Sequence, residues 1–511
     1  MIESVGHKIL PLHELIARLG ELRAQGRTIV QSHGVFDLIH PGIINHLEKA
    51  KRQGDVLVVT VIKDKDVRRG PGRPVFPDAM RVENVAALQL VDFACAVDDE
   101  IPFECVKMIA PDVFAKGQAY KERHRKIHEK IFEEERELYF GKSRIFETDG
   151  FSFSSSQIVN NFLDIYPEDT KSFLKDFSMR YTFSGIAETL NSLKDLKVLL
   201  IGDGIIDEYH YCAAMGKSAK SHLVVSKYLT HEVFYGGAFA IANHIAGLCE
   251  DVQLVTLLGS ENSSRDREIA KGLKQNVKAK FFYRDDGPTI VKKRYIDQYL
   301  NQKIFEVNYL NDEFIGGERE AEILAYIEKT AGLFDIVLVS DFGHGFVTPG
   351  IIGAIEKNAK RYAVTTQTNA ANAGYNMITK YRRPYYVCLD EPEIRLAAQE
   401  RFSNIQDVAL AIKRRVNADY LMVTLGKKGS FGIDQRDTMN NTPVFSSKVI
   451  DTIGAGDAFF AFTAPCFARE LPLDLASFIG NAVGALAVQI VGNKKAVEKY
   501  ELLAFIDAIL K

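Results

Sequence analysis

The chain has 511 residues, of which 46% are hydrophobic and 26% charged, with a formal net charge of -3. This composition is ordinary for a globular protein of about two to four domains, and it gives no global field that would attract nucleic acid or an anionic membrane. The six cysteines form no CxxC pair, so neither a zinc site nor a disulfide framework is indicated. The chain has neither a signal-peptide pattern nor an apolar run of about 18 residues, and we expect a cytoplasmic protein without nucleic-acid or membrane partners.

Two blocks of alternating strands and helices follow one another along the chain. The first begins at Thr28–Ser32, passes through a helical pattern around Leu47, and continues with strands at Asp55–Ile62 and Val91–Val97. Continuous apolar strands joined by helices are typical of a parallel, doubly wound sheet. The charge-dense segment 121–140 is predicted to be an exposed helix.

The second block begins after residues 166–194, a helical stretch that we interpret as the linker between domains 1–165 and 195–511. Its first strand is predicted at 197–203 and runs into a glycine turn. Further strands are predicted at Val252–Leu257, Ile336–Ser340, Tyr362–Thr366, Tyr385–Leu389 and Tyr420–Thr424, and the last large helix at Ala458–Phe467. Both domains are therefore predicted to be α/β.

A glycine-rich turn, Gly454-Ala455-Gly456, leads through Asp457 into an apolar helix. Bare backbone N–H groups and the positive end of a helix dipole make such a turn an anion hole for a transferring phosphate. Asp457 would stand where an attacking hydroxyl arrives and could accept its proton. The alternative is a purely structural role, in which the glycine turn is followed by a helix that Asp457 caps.

The surroundings of this turn resemble those of the ribokinase-type (PfkB) sugar kinases over residues 195–511. The matching features are DTxGAGD at 451–457, Thr424 with the glycine turn after it, Gly236-Gly237, and Asp203 with Asp207. The resemblance implies a ribokinase-like fold with a small β lid, ATP and Mg²⁺ as substrate and cofactor, and a dimer paired through the lid. It makes Asp457 the base and assigns the anion hole to Gly454, Ala455 and Gly456.

The same resemblance assigns the binding residues of this domain. The nucleotide would be bordered by Thr424, Gly426, Gly429, Asp451 and Thr452, and the sugar by Asp203, Asp207, Gly236 and Gly237. Pro288 to Arg294 resembles a stretch of the heptose-phosphate kinases, so Lys292 and Arg294 become candidates for a phosphate on the sugar. An exposed basic strand is the alternative. Glu393 would help to organise Mg²⁺ through water.

Three single positions and one short stretch depart from the pattern of the heptose kinases. Ala240 replaces an asparagine that bonds a sugar hydroxyl, His344 replaces a lysine, Asp390 replaces an asparagine, and residues 366–369 replace an Asp-Pro-Lys stretch. The groups for ATP and phosphoryl transfer are kept, whereas the sugar pocket is altered. The sequence therefore indicates a kinase without naming its acceptor.

The first block carries a second phosphate-binding pattern, His33 to Gly42, at a strand-to-helix junction. Glycine and histidine at a helix N-terminus suit a triphosphate, and imidazolium can stabilise charge as pyrophosphate leaves. Across residues 25–165 the order of motifs resembles the cytidylyltransferase-like family, with a Rossmann-like fold. It is most similar to the transferase half of the bifunctional heptose-7-phosphate kinase/heptose-1-phosphate adenylyltransferases, in which the kinase comes first; here the order is reversed.

The transferase resemblance assigns His40 as a catalytic residue. It assigns nucleotide binding to Gly34, Phe36, Asp37, Lys116, Gly117, Ser154, Ser155 and Ser156. Two positions fail, because Ile43 and Ala119 stand where the family has a histidine and an acid. A missing phosphate donor costs about 10²–10³ in rate. His46, one turn further along, is an alternative donor.

Three functions stay open from the sequence. The first is a bifunctional enzyme that phosphorylates a sugar or sugar phosphate and joins the sugar 1-phosphate to a nucleotide, from ATP or CTP. The second is a kinase alone, with a degenerate nucleotide-binding N-terminal domain. The third is a non-catalytic nucleotide-binding scaffold.

Overall fold

A computed structural model describes residues 5–67, 72–98, 104–117, 143–148, 160, 165–260, 263–300, 302–370, 372–446 and 449–511. The chain divides into two compact units, Met1–Thr189 with Leu503–Lys511, and Leu190–Leu502. The helix predicted at 121–140 lies outside the described residues. The domain limits given above stay predictions.

The first unit is built on a five-stranded parallel sheet with strand order β3-β2-β1-β4-β5. The strands are β1 (Ile29–Gly34), β2 (Val56–Ile62), β3 (Phe93–Val97), β4 (Val113–Gly117) and β5 (Arg144–Thr148). The helices in this part of the chain are α1 (Leu12–Ala24), α2 (Pro41–Lys51), α3 (Asp78–Ala86), α4 (Glu104–Ile109), α5 (Glu168–Arg180) and α6 (Phe183–Ser192).

Both faces of this sheet are buried, since successive strand residues point in opposite directions. Val30 and Leu57 belong to a core cluster that contains α2 and α3 residues. Their neighbours Ile29 and Val56 belong to another cluster, which contains α1 and α4 residues. The predicted doubly wound sheet is confirmed.

The second unit contains thirteen described strands in two sheets. They are β6 (Lys197–Gly202), β7 (Gly204–Lys217), β8 (Val224–Gly237), β9 (Asp251–Gly259), β10 (Val277–Arg284), β11 (Val291–Asp297), β12 (Gln302–Tyr309), β13 (Ile336–Asp341), β14 (Tyr362–Thr366), β15 (Tyr386–Asp390), β16 (Tyr420–Thr424), β17 (Ser430–Ile433) and β18 (Met439–Thr442). Nine form one sheet in the order β10-β9-β6-β13-β14-β15-β16-β17-β18. Pairing is parallel from β10 to β16 and antiparallel beyond. Because β6 lies between β9 and β13, the strand order reverses at β6, and such a switch point is where α/β sheets bind ligands.

The other four strands form a small sheet, here called the lid, with the order β12-β11-β7-β8. It includes the segments on which Asp207, Lys292 and Arg294 lie. Large apolar side chains are exposed on it, among them Leu223 at 68% and Tyr299, in the turn between β11 and β12, at 95%. Sequence patterning did not predict the two long lid strands, because a run such as residues 224–231 is exposed on both faces and shows no burial alternation.

Helices cover the nine-stranded sheet. They are α7 (Ala238–Ala246), α8 (Ser263–Gly272), α9 (Gly317–Thr330), α10 (Pro349–Asn358), α11 (Glu391–Ala398), α12 (Ile405–Val416), α13 (Ala455–Ala468) and α14 (Leu473–Ala487). The last helix, α15 (Lys499–Ile509), begins in the second unit, and most of its residues belong to the first. The prediction that the last large helix is Ala458–Phe467 is wrong, since α14 and α15 follow it. Helix α14 is buried along most of its length, so it has no polar face to give a helical period. Among the described residues, no helix is long and apolar enough to cross a bilayer.

Candidate functional site

A cavity of about 730 Å³ lies in the second unit, at the carboxyl edge of the nine-stranded sheet and beside the lid. It is lined by Gly454, Ala455, Gly456 and Asp457, and by residues of the lid, of the β15–α11 junction and of the turn after β16. The structure thus brings the glycine-rich turn together with most of the predicted sugar-facing and nucleotide-facing residues. A larger cavity of about 820 Å³ lies around Tyr362, Tyr385 and Tyr420, at the opposite edge of the same sheet.

The glycine-rich turn forms the N-terminus of α13. Gly454 is the N-cap residue, with a left-handed φ of 82° that favours glycine. The backbone N–H of Ala455 bonds Thr452 O and that of Ala458 bonds Gly454 O. Neither the N–H of Gly456 nor that of Asp457 bonds a described residue, so both are available to an anion at the positive end of the helix.

Asp457 is the third residue of the helix, in its first turn, and Gly454 is the N-cap, which rules out the alternative that Asp457 caps this helix. Burial, together with the negative charge of Asp207, raises the pKa of Asp457 to about 7, and Lys292 opposes that rise. No described side chain donates a hydrogen bond to its carboxylate. The group therefore combines an available lone pair with a pKa close to neutrality, which suits a general base.

The two predicted phosphate-binding cations differ in their surroundings. The Arg294 guanidinium pairs with Asp207 and, at 2.7 Å, with Glu306. Lys292 forms no ion pair with a described residue, although its side chain is only 7% exposed and lines the cavity. Burial lowers the pKa of Lys292 and nearby acids oppose that shift. Lys292 is thus the cation that is free to meet a ligand anion, and the alternative of an exposed basic strand is wrong for it.

Asp203 and His344 carry buried polar atoms without partners. Oδ2 of Asp203 accepts hydrogen bonds from the N–H groups of Phe342, at 3.0 Å, and of His344, at 3.4 Å. Its Oδ1 atom and both ring nitrogens of His344 have none within the described structure. Burial and neighbouring Asp341 raise the pKa of Asp203 to about 7, while burial and Lys292 lower the pKa of His344 to about 3. His344 is therefore a neutral imidazole around pH 7.

Most but not all of the residues predicted to border the nucleotide line the cavity. Thr424, Gly426, Gly429 and Thr452 line the cavity. Asp451 does not line the cavity. Its carboxylate accepts hydrogen bonds from Tyr209 Oη at 3.1 Å, Ile453 N at 3.2 Å and Gly492 N at 3.0 Å. It also forms an ion pair with Lys303. Its contacts are those of a residue that holds the loop before the anion hole.

Glu393 and Asp390 lie together on the cavity wall. Asp390 is the N-cap of α11, and the two residues form a capping box in which Glu393 accepts the N–H of Asp390 at 2.9 Å. Burial and the negative charge of Asp390 raise the pKa of Glu393 to about 8. Two adjacent acids with raised pKa values favour a cation nearby, and each oxygen keeps a second lone pair for a water molecule.

Asn493 also lines this cavity, and sequence reasoning missed it. A Cβ on Gly236 would lie 3.0 Å from Asn493 Nδ2, and a Cβ on Gly454 would collide with its Oδ1 atom. The lack of a side chain at Gly236 thus lets Asp207 and Asn493 come close to its backbone, although Gly236 does not line the cavity. The only sequence signal for Asn493 is the Gly492-Asn493 turn, since 36 residues separate Asp457 from Asn493.

In the first unit, the turn after β1 holds the predicted transferase motif. Phe36 has a φ of 49°, and both carboxylate oxygens of Asp37 accept hydrogen bonds from Val75 N, at 2.8 and 2.7 Å. His40 caps α2 by accepting the N–H of Gly42 at 3.2 Å. Asp37 therefore holds the loop together, and His40 keeps one ring nitrogen for a ligand.

The remaining transferase positions are partly described. Gly34 and Gly117 end the paired strands β1 and β4, and burial lowers the pKa of Lys116 to about 8. The predicted serine cluster Ser154, Ser155 and Ser156, and Ala119, lie outside the described residues. Ile43 packs against the core cluster beneath α2.

The alternative that His46 replaces the missing histidine is wrong. Its Nε2 atom lies 2.8 Å from Ser32 Oγ and its Nδ1 atom 2.7 Å from Thr148 Oγ1. Burial lowers the pKa of His46 to about 4, so it is neutral. Both ring nitrogens link strands β1 and β5, and neither is left for a phosphate.

Comparison with known proteins identifies the second unit. Residues 196–499 match the pfkB family of carbohydrate kinases, and residues 32–161 match the cytidylyltransferase-like family. The chain belongs to the pfkB carbohydrate kinase family. The predicted resemblances to both families, in this order along the chain, are confirmed.

Relatives and solved structures agree with these matches. The bifunctional protein HldE of Trichlorobacter lovleyi is 24% identical over 316 residues, which cover 61% of this chain and 63% of that protein. HldE of Alcanivorax borkumensis is 41% identical over 117 residues, 22% of this chain and 25% of that protein. The chain spans less than two thirds of the length of these curated relatives. Escherichia coli phosphofructokinase-2 in complex with potassium shares the fold, with a TM-score of 0.51 and 13% identity over 62% of this chain and 100% of that one.

Proposed function

We propose that the second unit phosphorylates a sugar or sugar phosphate with ATP, and that the first unit joins a sugar 1-phosphate to a nucleotide with release of pyrophosphate. The product would be a nucleotide-activated, heptose-like sugar. One observation carries the kinase proposal: Asp457 lines a cavity together with two free backbone N–H groups and the unpaired cation Lys292. The HldE relatives support the bifunctional part of it.

The proposed reaction follows from this arrangement. The acceptor hydroxyl attacks the γ-phosphorus of ATP, a new O–P bond forms, and the bond from the γ-phosphorus to the bridging oxygen breaks, so that ADP leaves. Asp457 accepts the hydroxyl proton. The N–H groups of Gly456 and Asp457 stabilise the charge on the transferring phosphoryl oxygens, and Lys292 neutralises an oxyanion of donor or acceptor.

Magnesium fits the site as a cofactor held largely by ATP. Mg²⁺ takes oxygen ligands, keeps several waters, and is usually bound through phosphates and one or two carboxylates. Glu393 and Asp390 would hold those waters from the cavity wall, where a cation would relieve the repulsion between the two carboxylates. When bound, the ion would neutralise part of the negative charge of the ATP phosphates.

The kinase proposal is tested by turnover. Purified protein with ATP and Mg²⁺ is offered neutral sugars and their phosphates, including heptose 7-phosphate and fructose 6-phosphate, and ADP is measured. Sugar-dependent ADP formation is expected, and Asp457→Asn should abolish it while the matched surface variant Asp419→Asn keeps it. Absence of turnover across the whole panel would refute the proposal; calorimetric ATP binding without turnover would instead favour the scaffold.

The transferase proposal has a specific competitor, a kinase with a degenerate first unit. His40 and the turn around Phe36 favour nucleotide binding, whereas Ile43 lacks a donor to phosphate. Pyrophosphate release with a sugar 1-phosphate and either ATP or CTP separates the two functions, and mass spectrometry of the product names the base. Ile43→His should raise the rate if the rest of the site is assembled; no pyrophosphate from either variant would leave the chain a kinase.

We propose further that the lid pairs with the lid of a second copy. Its exposed apolar side chains, Leu223, Val224, Leu300 and Phe305 among them, form a surface of the kind that marks protein contacts. Light scattering should give a dimer mass, and Leu223→Asp combined with Phe305→Asp should give a monomer. A monomeric parent protein would contradict this pairing.

The cytoplasm is the compartment we propose. All six cysteines are free and buried, as expected for thiols kept in a reducing environment. Fractionation of the native cells, followed by immunodetection, checks the proposal, and recovery in an oxidising compartment would contradict it.

A further inference from the structure

Asn493 lies at the junction of two cavities. It lines the main cavity beside Asp457 and also a smaller one of about 310 Å³, whose wall includes Ala240 and His244. Nothing in the proposed mechanism uses it. A polar side chain at such a junction is placed to contact a ligand that occupies the main cavity.

The base of this side chain is fixed and its amide is free. The preceding residue, Gly492, donates its N–H to Asp451 Oδ2 at 3.0 Å and has a left-handed φ of 51°. The Asn493 amide forms no hydrogen bond with any residue that the structure describes. A carboxamide offers two donors and one acceptor, and a fixed backbone holds them in place without protein partners to satisfy them.

The orientation of the amide indicates which substrate it meets. Nδ2 faces Gly236, whose neighbour in space is Asp207 Oδ2, on the acceptor side of the cavity. Oδ1 faces Gly454, at the anion hole, where its lone pairs would repel a phosphate oxygen. The amino group of the amide therefore lies on the side of the cavity that would hold the sugar, and the amide oxygen lies against Gly454.

We propose that Asn493 is a specificity-determining residue that donates a hydrogen bond from Nδ2 to a hydroxyl group of the sugar acceptor. This inference rests on the proposed kinase function and names a contact within it. Asn493 contributes through sugar binding, while the Asp457 carboxylate accepts the hydroxyl proton and the anion hole holds the phosphoryl group. The close packing on Gly236 and Gly454 explains why a side chain at either position would displace this contact.

The test compares Asn493→Ala and Asn493→Asp with Asn358→Ala, a control whose side chain bonds only Ala354 O within the same helix. Kinetics are measured with ATP and heptose 7-phosphate, or with the sugar of the panel that the parent protein phosphorylates best. One lost hydrogen bond of about 0.5–1.5 kcal/mol predicts that Asn493→Ala raises the sugar KM about 2- to 13-fold, with the ATP KM unchanged. Asn493→Asp should be worse than alanine, because it keeps the shape but places a carboxylate beside Asp207.

The outcomes separate this inference from the function on which it rests. If the parent protein turns over a sugar and Asn493→Ala has the same sugar KM, or changes only the ATP KM, the proposed contact does not exist. A purely structural role would make aspartate the milder substitution, which would also overturn it. If the parent protein turns over no sugar, the kinase proposal fails and the contact fails with it. Thermal unfolding of each variant confirms that the comparison is made between folded proteins.

Discussion

The amino group of Lys303, on lid strand β12, lies 2.9 Å from Oδ1 of Asp451, at the start of the segment that forms the anion hole. Tyr209, on lid strand β7, donates its hydroxyl to the other oxygen of the same carboxylate at 3.1 Å. Burial alone would raise the pKa of Asp451, but the hydrogen bond and charge of Lys303, with the hydrogen bonds from two backbone N–H groups, lower it. One carboxylate therefore connects the lid to the loop before α13, which is proposed to hold the phosphoryl group.

Lys303→Met should loosen the lid and weaken acceptor binding. Lys303 is 41% exposed, so its pair with Asp451 contributes about 0.2–1 kcal/mol, and we expect a sugar KM about 1.5- to 5-fold higher. Salt should weaken binding in the parent protein more than in the variant, because the screened pair is absent there. The control is Lys278→Met, which removes the exposed pair with Asp251 at the far edge of the sheet. An identical salt dependence in all three proteins would contradict a role for this contact.

Asp457→Asn tests the pH dependence of the proposed base. The carboxylate must be deprotonated to accept a proton, so kcat/KM of the parent protein should fall about tenfold per pH unit below a pKa near 7. The variant should lose at least about 10²-fold in rate and show no such limb. The profile is measured by ADP release between pH 5 and pH 9, chosen to bracket that pKa by about two units. A parent profile that is flat from pH 5 to pH 8 would exclude Asp457 as the titrating base.

The same substitution predicts a change in stability. The folded state of Asp457 has a raised pKa, so it binds more protons than the unfolded state between about pH 4 and pH 7. Stability from this group is therefore full below the unfolded pKa and is lost as the pH rises through the folded pKa. Thermal unfolding should show that the parent protein loses more stability than Asp457→Asn between pH 4 and pH 8. Equal losses would mean that the folded pKa is not raised.

His344→Leu should stabilise the protein in the absence of substrate. Both ring nitrogens of His344 are buried without partners, and a buried unsatisfied group costs about 1–3 kcal/mol. The matched control is His244→Leu, since Nδ1 of buried His244 accepts the N–H of Val497 at 3.2 Å and that bond would be lost. Chemical denaturation should give a higher free energy of unfolding for the first variant and a lower one for the second. A stability loss in both would show that His344 has partners in solution.

His46→Ala should destabilise the first unit without abolishing nucleotide binding. The substitution leaves the hydroxyl groups of Ser32 and Thr148 without their shared partner, at a cost of about 1–3 kcal/mol. Exposed His13 provides the control, because surface substitutions stay within about 0.5 kcal/mol. Unfolding is followed by calorimetry and nucleotide binding by titration with ATP and CTP. Loss of nucleotide binding with an unchanged free energy of unfolding would instead mean that His46 contacts the nucleotide.

Short sequence patterns predicted the buried strands and the glycine turn of the second unit. Strands such as β6 and β13 are buried on both faces, so they read as continuous apolar runs. The turn at Gly454 needs a positive φ, which restricts it to glycine and makes it visible in the sequence. These two signals placed six of the nine strands (β6, β9, β13, β14, β15 and β16) and the turn that begins α13.

Short sequence patterns did not predict contacts between segments that are far apart in the chain. The pairing of Arg294 with Asp207 and Glu306 joins three lid strands, and nothing local distinguishes it from the free Lys292 two residues earlier. The role of His46 depends equally on Thr148, 102 residues away. Which charges are paired, and so which are available to a ligand, was decided by tertiary structure.

The lid carries Asp207, Lys292, Arg294 and Lys303, whereas the anion hole and its base belong to α13 and the loop before it. Apart from Asn493, the groups proposed to contact the acceptor are thus encoded in a different stretch of chain from the groups proposed to move the phosphoryl group. Exchange of the lid strands between relatives could then change the accepted sugar while the chemistry is inherited intact. In evolution, such a division lets a lineage explore new acceptors without passing through an inactive enzyme.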